Sequence, residues 1–241
     1  MIALISSVPE EGKLLIGRLK KKSVMAGKPL YGGRIQGKEV VYMISGMGKT
    51  NAAHAATFLI EKFSPETLIL FGIGGAYPSS GLGVGDIAVA EKEVYGDEGV
   101  MNGDGFQGTQ LIGIPLLKLG RRKYFNEFPL DKGLAGKALG YLAYVAQPSA
   151  GSIAAGLGRF VTVSTCTGTR KRAMELQKRF GAVCENMEGA AAAHICTLYG
   201  TPMVEIRGIS NIAGDRDRSK WDIRLAAENC QRVILELLKS L

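Results

Sequence analysis

Residues 42–50 read YMISGMGKT, and this stretch separates two kinds of α/β fold. It ends in Gly-Lys-Thr, as a P-loop does, and an apolar run at residues 39–44 leads into it. A P-loop also needs a glycine five residues before its Gly-Lys, because backbone N–H groups must wrap the phosphates, but Met43 stands there. Residues 33–36 form a second short strand, joined through Gly37 and Lys38, which predicts a hairpin. We therefore expect a strand, a glycine turn and a helix without a nucleoside triphosphate site.

Outward from this stretch, short apolar runs alternate with helical patterns. Strands are predicted at residues 2–5, 33–36, 39–44, 67–71, 86–93, 159–164 and 203–208. Helices are predicted at residues 50–63, 170–181, 188–198 and 223–237, where apolar side chains recur every three or four positions. This alternation predicts an α/β fold, a three-layer αβα sandwich whose helices cover both faces of a central mixed β-sheet.

The 241 residues contain no evident linker, so a single domain over residues 1–241 is expected. Residues 95–131 are rich in glycine and lack a period. They predict a long excursion that forms a pocket rim or a subunit contact.

The net charge of +8 arises from scattered basic residues that do not alternate with aromatic ones. This pattern is typical of a solvated surface rather than of a nucleic-acid interface. The alternative interpretation is a field that attracts an anionic small substrate. The short apolar run at residues 2–5 suits neither a signal peptide nor a membrane span, so a cytoplasmic protein without a membrane partner is expected.

Cysteine and histidine spacing argues against a metal site. The sequence has two histidines and four cysteines, at positions 166, 184, 196 and 230, which match neither a disulfide framework nor a zinc site. We expect reduced cysteines, no metal and no cofactor.

Polar residues gather where the predicted strands end. They are found in SSVPEE at 6–11, GMG at 46–48, GIGG at 72–75, STCTGT at 164–169 and SN at 210–211, with Glu188 at the start of an alanine-rich helix. Ligands of open α/β sheets bind beyond the carboxyl ends of strands, so these groups predict one shared site.

These same segments resemble the nucleoside phosphorylase and nucleosidase superfamily over nearly the whole chain. The resemblance rests on PEE at 9–11, SGMGK at 45–49, GIGGA at 72–76, GD at 85–86, NME at 186–188 and RGISN at 207–211. Within the superfamily, the futalosine hydrolases are the most similar group, on the segments ENMEGAAAAH at 185–194, RGISNIAGDRDR at 207–218, WDI at 221–223 and YFNEFP at 124–129.

The resemblance implies hydrolysis of the N-glycosidic bond of futalosine, which releases hypoxanthine and dehypoxanthine futalosine for menaquinone biosynthesis. Two alternatives remain open. One is another purine nucleosidase or phosphorylase, acting on a 6-oxopurine nucleoside or on methylthioadenosine/S-adenosylhomocysteine. The other is a non-catalytic relative, which the presence of both Glu11 and Glu188 argues against.

The resemblance also implies roles for two carboxylates. Glu11 corresponds to the glutamate that activates water, with Glu10 as the alternative if the register slips by one residue. Glu188 corresponds to the glutamate that accepts hydrogen bonds from the ribose hydroxyls. Further substrate contacts are expected from Asn186, Met187, Gly46, Ile73, Gly74, Thr165 and Arg170.

Asn211 departs from the pattern of adenine-handling nucleosidases, which carry an aspartate at this place. A neutral amide can donate to N7 or O6, the acceptors of a 6-oxopurine, so Asn211 favours hypoxanthine as the leaving group. If Asn211 only caps a turn, Asp215 or Asp217 is the next candidate for an acid.

Two further expectations follow from the resemblance. Leu70 and Ile73 stand where the trimeric phosphorylases carry phosphate-binding residues, which favours water as the nucleophile. Futalosine has an aromatic carboxylate on its 5′ extension, and residues 95–128 or Arg170 would meet it. The partner is thus a small-molecule nucleoside, and the family's assemblies imply a homo-oligomer, either a dimer or a tetramer.

Overall fold

The computed structural model describes residues 1–25, 27–145 and 153–241. Its strands are β1 (Ile2–Ser6), β2 (Lys20–Met25), β3 (Lys28–Ile35), β4 (Lys38–Ile44), β5 (Thr67–Ala76), β6 (Ile87–Tyr95), β7 (Gly99–Asn102), β8 (Gly105–Gly108), β9 (Leu117–Leu119), β10 (Arg122–Tyr124), β11 (Glu127–Pro129), β12 (Ala155–Thr162), β13 (Ala182–Asn186) and β14 (Met203–Ile212). Its α-helices are α1 (Lys13–Ile16), α2 (Lys49–Phe63), α3 (Lys132–Val145), α4 (Arg170–Phe180), α5 (Gly189–Tyr199) and α6 (Ile223–Ser240). Short 3-10 turns lie at Pro9–Gly12, Thr109–Leu111 and Arg218–Lys220.

The main sheet is mixed, as predicted. Nine of its strands follow the order β11-β6-β12-β13-β5-β1-β4-β3-β2, and β14 pairs with both β5 and β6. Strand β1 runs parallel to β4 and β5, whereas β3 and β4 form the predicted antiparallel hairpin. Gln36 and Gly37, both at positive φ, make its two-residue turn, one position earlier than expected.

Five strands close into a ring that the sequence did not reveal. Strand β5 pairs with β14, β14 with β6, β6 with β12, β12 with β13, and β13 with β5. At the end of β5, Gly75 lies opposite Glu185 of β13 on one side and Asn211 of β14 on the other. Residues distant in sequence thereby meet at one end of the sheet.

Helices cover both faces of the sheet, because side chains alternate along its strands. In β1, Ala3 and Ile5 join a core that includes α2 and α5, while Ile2 and Leu4 join a core that includes α3 and α6. The predicted three-layer αβα sandwich is therefore confirmed. Helix α4 packs separately, with Ala173 and Leu176 buried in a third cluster.

Several predicted boundaries were wrong in a way that matters for the site. Strands β5 and β14 extend to Ala76 and Ile212, so GIGG at 72–75 and SN at 210–211 lie inside strands rather than after them. The sequence also missed β2, β13 and α3.

The excursion at residues 95–131 contains two small hairpins, since β7 pairs with β8 and β9 with β10 outside the main sheet, whereas its strand β11 pairs with β6 in the main sheet. Within the described parts of the chain, no helix is both long enough and apolar enough to cross a membrane.

Candidate active site

A cavity of about 310 Å³ lies at the end of the sheet where β5, β13 and β14 meet. Its lining comes from many separate segments: Ser7, Val8, Glu11, Met47, Ile73, Gly74, Gly75, Cys166, Thr167, Glu185, Asn186, Met187, Glu188, Arg207, Ser210, Asn211, Ala213, Arg216 and Trp221. Glu11, Glu188 and Asn211, which the sequence singled out, share this cavity.

Glu11 lies in the 3-10 turn that follows β1 and is 3% exposed. Its carboxylate accepts three backbone hydrogen bonds, from Ser7 at 2.8 Å, Val8 at 3.2 Å and Ile73 at 2.9 Å. Burial raises the pKa of Glu11 above its ordinary value, although the nearby Arg207 and the backbone donors act in the opposite direction. The result is a fixed carboxyl with raised proton affinity, as a general base requires. Glu10 is exposed and does not line the cavity.

Gly72 makes room for this carboxylate. A β-carbon at Gly72 would overlap the Glu11 carboxyl group. The group closest to Gly72 is therefore a carboxylate of the site itself.

Glu188 is the N-cap residue of α5 and is 4% exposed. Its Oε1 accepts a hydrogen bond at 2.9 Å from the backbone N–H of Gly48, in the turn between β4 and α2. The glycine turn of YMISGMGKT therefore donates to a carboxylate of the site.

Arg207 connects the acidic side chains and was not predicted as a site residue. It is 1% exposed, its Nη1 lies 3.3 Å from Oε2 of Glu188, and its Nε donates to Glu205 at 2.8 Å. Nη1 also donates to the carbonyl of Ile73 at 3.2 Å, next to the backbone donor of Glu11. Arg207 thus links the carboxylate of Glu188 to the backbone of Ile73, whose N–H donates to Glu11.

Asn186 shapes the turn that presents Glu188. Its Oδ1 accepts from the backbone N–H groups of Glu188 at 2.9 Å and Gly189 at 2.7 Å. Its Nδ2 donates to the buried Glu93 at 2.5 Å. Asn186 lines the cavity, but its described hydrogen bonds support the turn.

Among the hydrogen bonds of the described residues, Asn211 uses one of its two amide hydrogens. Its Oδ1 accepts from Ser210 Oγ at 2.9 Å, and its Nδ2 donates to the Ile212 carbonyl at 3.1 Å. An amide nitrogen carries two hydrogens, so a second donor is available at the cavity. The alternative acids Asp215 and Asp217 lie outside the lining, and Lys220 pairs with both.

Three predicted contacts do not line the cavity. Gly46, at φ 83°, does not belong to the lining, whereas its neighbour Met47 does. Thr165 is exposed, whereas Cys166 and Thr167 face the cavity. Arg170 is the exposed first residue of α4, and no residue from 95–128 belongs to the lining.

The sequence reasoning missed Arg216 and Trp221, which both line the cavity. The segments RGISNIAGDRDR and WDI contributed to the resemblance, but nothing in their spacing shows that the loop after β14 folds back. Met187 lines the cavity with its sulfur 3.2 Å from Cys166 Sγ.

Comparison with known proteins finds a matching family model and several similar proteins. The family model of the phosphorylase superfamily matches residues 1–239. A futalosine hydrolase from Thermus thermophilus is 37% identical over 208 residues, which is 85% of this chain and 83% of that protein. A 5′-methylthioadenosine/S-adenosylhomocysteine nucleosidase from Geobacillus thermodenitrificans is 30% identical over 241 residues, 98% of this chain and 95% of that protein.

Solved structures show the same fold. A 5′-methylthioadenosine/S-adenosylhomocysteine nucleosidase from Colwellia psychrerythraea, in complex with adenine, superposes with a TM-score of 0.83 at 26% identity. The alignment covers 100% of this chain and 95% of that one.

Proposed function

The chain belongs to the phosphorylase superfamily, its curated relatives are N-glycosyl hydrolases, and we propose that its own reaction is the hydrolysis of futalosine. The products are hypoxanthine and dehypoxanthine futalosine, an activity that would serve menaquinone biosynthesis. One observation carries the choice of substrate: the uncharged amide of Asn211 shares a cavity with the carboxylates of Glu11 and Glu188.

The proposed reaction breaks the bond between C1′ of the ribose and N9 of the purine. Positive charge develops on the ribose and negative charge on the base, so groups that stabilise these charges lower the barrier. A water oxygen bonds to C1′, its proton passes to Glu11, and the electron pair of the broken bond leaves with the purine.

Glu188 would accept hydrogen bonds from the 2′ and 3′ hydroxyls, and charge-assisted bonds of this kind are strong. Its fixed position between Gly48 and Arg207 supports that role. Met187, Ile73 and Gly74 would contact the substrate as other lining residues.

Asn211 would donate to N7 or O6 of the departing base. It cannot deliver a full proton, but hypoxanthine leaves as a better-stabilised anion than adenine does. This difference supports a 6-oxopurine over methylthioadenosine, even though several curated relatives are methylthioadenosine/S-adenosylhomocysteine nucleosidases.

Water is the proposed nucleophile. Leu70 is fully buried and Ile73 lines the cavity, and neither side chain has a polar group that could bind an oxyanion. A cytoplasmic location and assembly as a homo-oligomer complete the proposal, and the four free cysteines fit a reducing compartment.

Product analysis tests the proposal. The protein is incubated with futalosine, inosine and methylthioadenosine, with and without phosphate, and the free base is quantified. The proposal requires hypoxanthine from futalosine without phosphate. Base release from inosine only with phosphate would identify a phosphorylase, and an inert protein would support a non-catalytic relative.

A further inference from the structure

Two cationic side chains, Arg207 and Arg216, line the cavity, and their surroundings differ. Arg207 is buried and already pairs with Glu188 and Glu205. Arg216 lies at the exposed side of the same cavity, in the loop that follows β14. Of these two arginines, Arg216 is therefore the one placed to meet a charged group of an incoming ligand.

The Arg216 guanidinium is oriented by an aromatic ring. Its central carbon lies 4.8 Å from the ring centroid of Trp221, which is the geometry of a cation–π contact. The indole is itself held, because its Nε1 donates to the carbonyl of Asp215 at 3.1 Å. Both members of the stacked pair line the cavity.

The acidic neighbours of Arg216 are engaged elsewhere. Lys220 lies 2.9 Å from the carboxylate of Asp215 and 3.6 Å from that of Asp217. Asp217 also accepts from the backbone N–H and the hydroxyl of Ser219. Among the ion pairs formed by the described residues, none involves Arg216.

We propose that Arg216, stacked on Trp221, binds the carboxylate at the end of the substrate's 5′ extension and so determines specificity. A guanidinium matches a carboxylate with two parallel N–H donors, and the indole offers an apolar surface to an aromatic extension. This inference rests on the proposed function, since futalosine carries an aryl carboxylate there. Arg216 thereby takes the carboxylate-binding role expected of Arg170 or of residues 95–128, which do not line the cavity.

The test compares futalosine with its methyl ester, which keeps the aromatic extension and removes the charge. The wild-type protein should prefer the acid by about 10- to 100-fold in kcat/KM, mainly through KM, the range expected for a charge-assisted pair. Arg216→Gln should bring this preference close to one by lowering kcat/KM for the acid. Arg218→Gln, an exposed cation two residues further along, is the matched control and should keep the wild-type preference.

Trp221→Leu supplies a second variant. It should lower the preference part of the way, because the guanidinium loses its orienting ring. An undiminished preference in Arg216→Gln, or no preference in the wild-type protein, overturns the inference while futalosine hydrolysis stands. A wild-type protein inert toward both compounds would instead overturn the proposed function, and the inference with it.

Discussion

The carboxyl group of Glu11 combines burial with three backbone hydrogen bonds, and these act on its charge in opposite directions. Burial dominates and raises the pKa of Glu11 above the ordinary glutamate value of 4.5. A general base must be ionised before it can accept a proton from water. Activity should therefore be lost at a pH at which an exposed glutamate would still be charged.

We expect the acid limb of kcat/KM to lie above pH 4.5 for this reason. Initial rates of hypoxanthine release across the acid range measure it, and Glu11→Gln should abolish the activity. An acid limb at or below the pKa of an exposed glutamate would contradict the assignment of Glu11 as base.

The position of the Glu11 carboxylate also depends on Gly72. In Gly72→Ala the new methyl group competes with the Glu11 carboxylate for the same space. Kcat should fall by about 100-fold, because small displacements of a catalytic group have effects of that size. Gly136→Ala is the control, since this helical glycine in α3 has nothing within 4 Å of the added carbon. Equal activity in the two variants would show that Glu11 does not need its present position.

At the scale of elements, the turn from β13 into α5 lies over a buried pair of acids. Glu93 of β6 and Glu205 of β14 are both fully buried, and a β-carbon at Gly189 would meet both carboxylates. Burial, followed by repulsion from Glu205, raises the pKa of Glu93 well above 4.5. Burial also raises the pKa of Glu205, but the guanidinium of Arg207 acts in the opposite direction, so we assign the proton that the two carboxyls share to Glu93.

This assignment predicts how stability depends on pH. The folded-state pKa of Glu93 exceeds the unfolded value, so its contribution is complete below about pH 4.5 and is lost as pH rises through the raised pKa. Glu93→Gln cannot ionise and should reduce the loss of Tm between pH 5 and pH 8 by several degrees, at about 2–4 °C per kcal/mol for a chain of this size. Glu39→Gln, at an exposed position of β4, should follow the wild-type curve. Identical curves for wild type and Glu93→Gln would mean that Glu93 is ionised in the folded protein.

The sequence predicted some helices and strands and missed others, and the reasons are physical. Helices α2 and α6 were predicted because their apolar side chains recur at helical spacing. Strand β2 was missed because it begins with three lysines, which suit an edge strand but resemble a solvated surface. Helix α3 contains three glycines and has low propensity, yet it forms where Leu134 and Ala138 pack into the core.

The site residues likewise divide into those that the sequence predicted and those that it missed. Glu11, Glu188 and Asn211 follow from motifs near strand ends, whereas Arg216 reaches the cavity only because its loop folds back. The pairing of Glu93 with Glu205 depends on the ring of strands, since β6 and β14 are far apart in sequence. Contacts set by tertiary pairing leave no periodic signal in the chain.

At the scale of the whole molecule, the excursion exposes apolar side chains. Met101 is 71% exposed and Ile114 is 70% exposed, with Leu111 and Ile112 also exposed. Large exposed apolar side chains within one segment are typical of an interface. We therefore expect a particle larger than the 25.7 kDa chain, and Ile114→Arg should shift it toward the monomer.

Light scattering after gel filtration measures that mass. Val24→Arg, which replaces an exposed apolar residue on the edge strand β2, is the control and should leave the mass unchanged. A wild-type mass equal to one chain would contradict this expectation.

The central claim is that an uncharged amide at position 211 selects an oxygen-bearing purine. The most direct measurement is the ratio of kcat/KM for methylthioadenosine to that for futalosine, in the wild-type protein and in Asn211→Asp. An aspartate can protonate N7 and accept from the 6-amino group, so the ratio should rise by about tenfold or more. An unchanged ratio would show that Asn211 does not recognise the base.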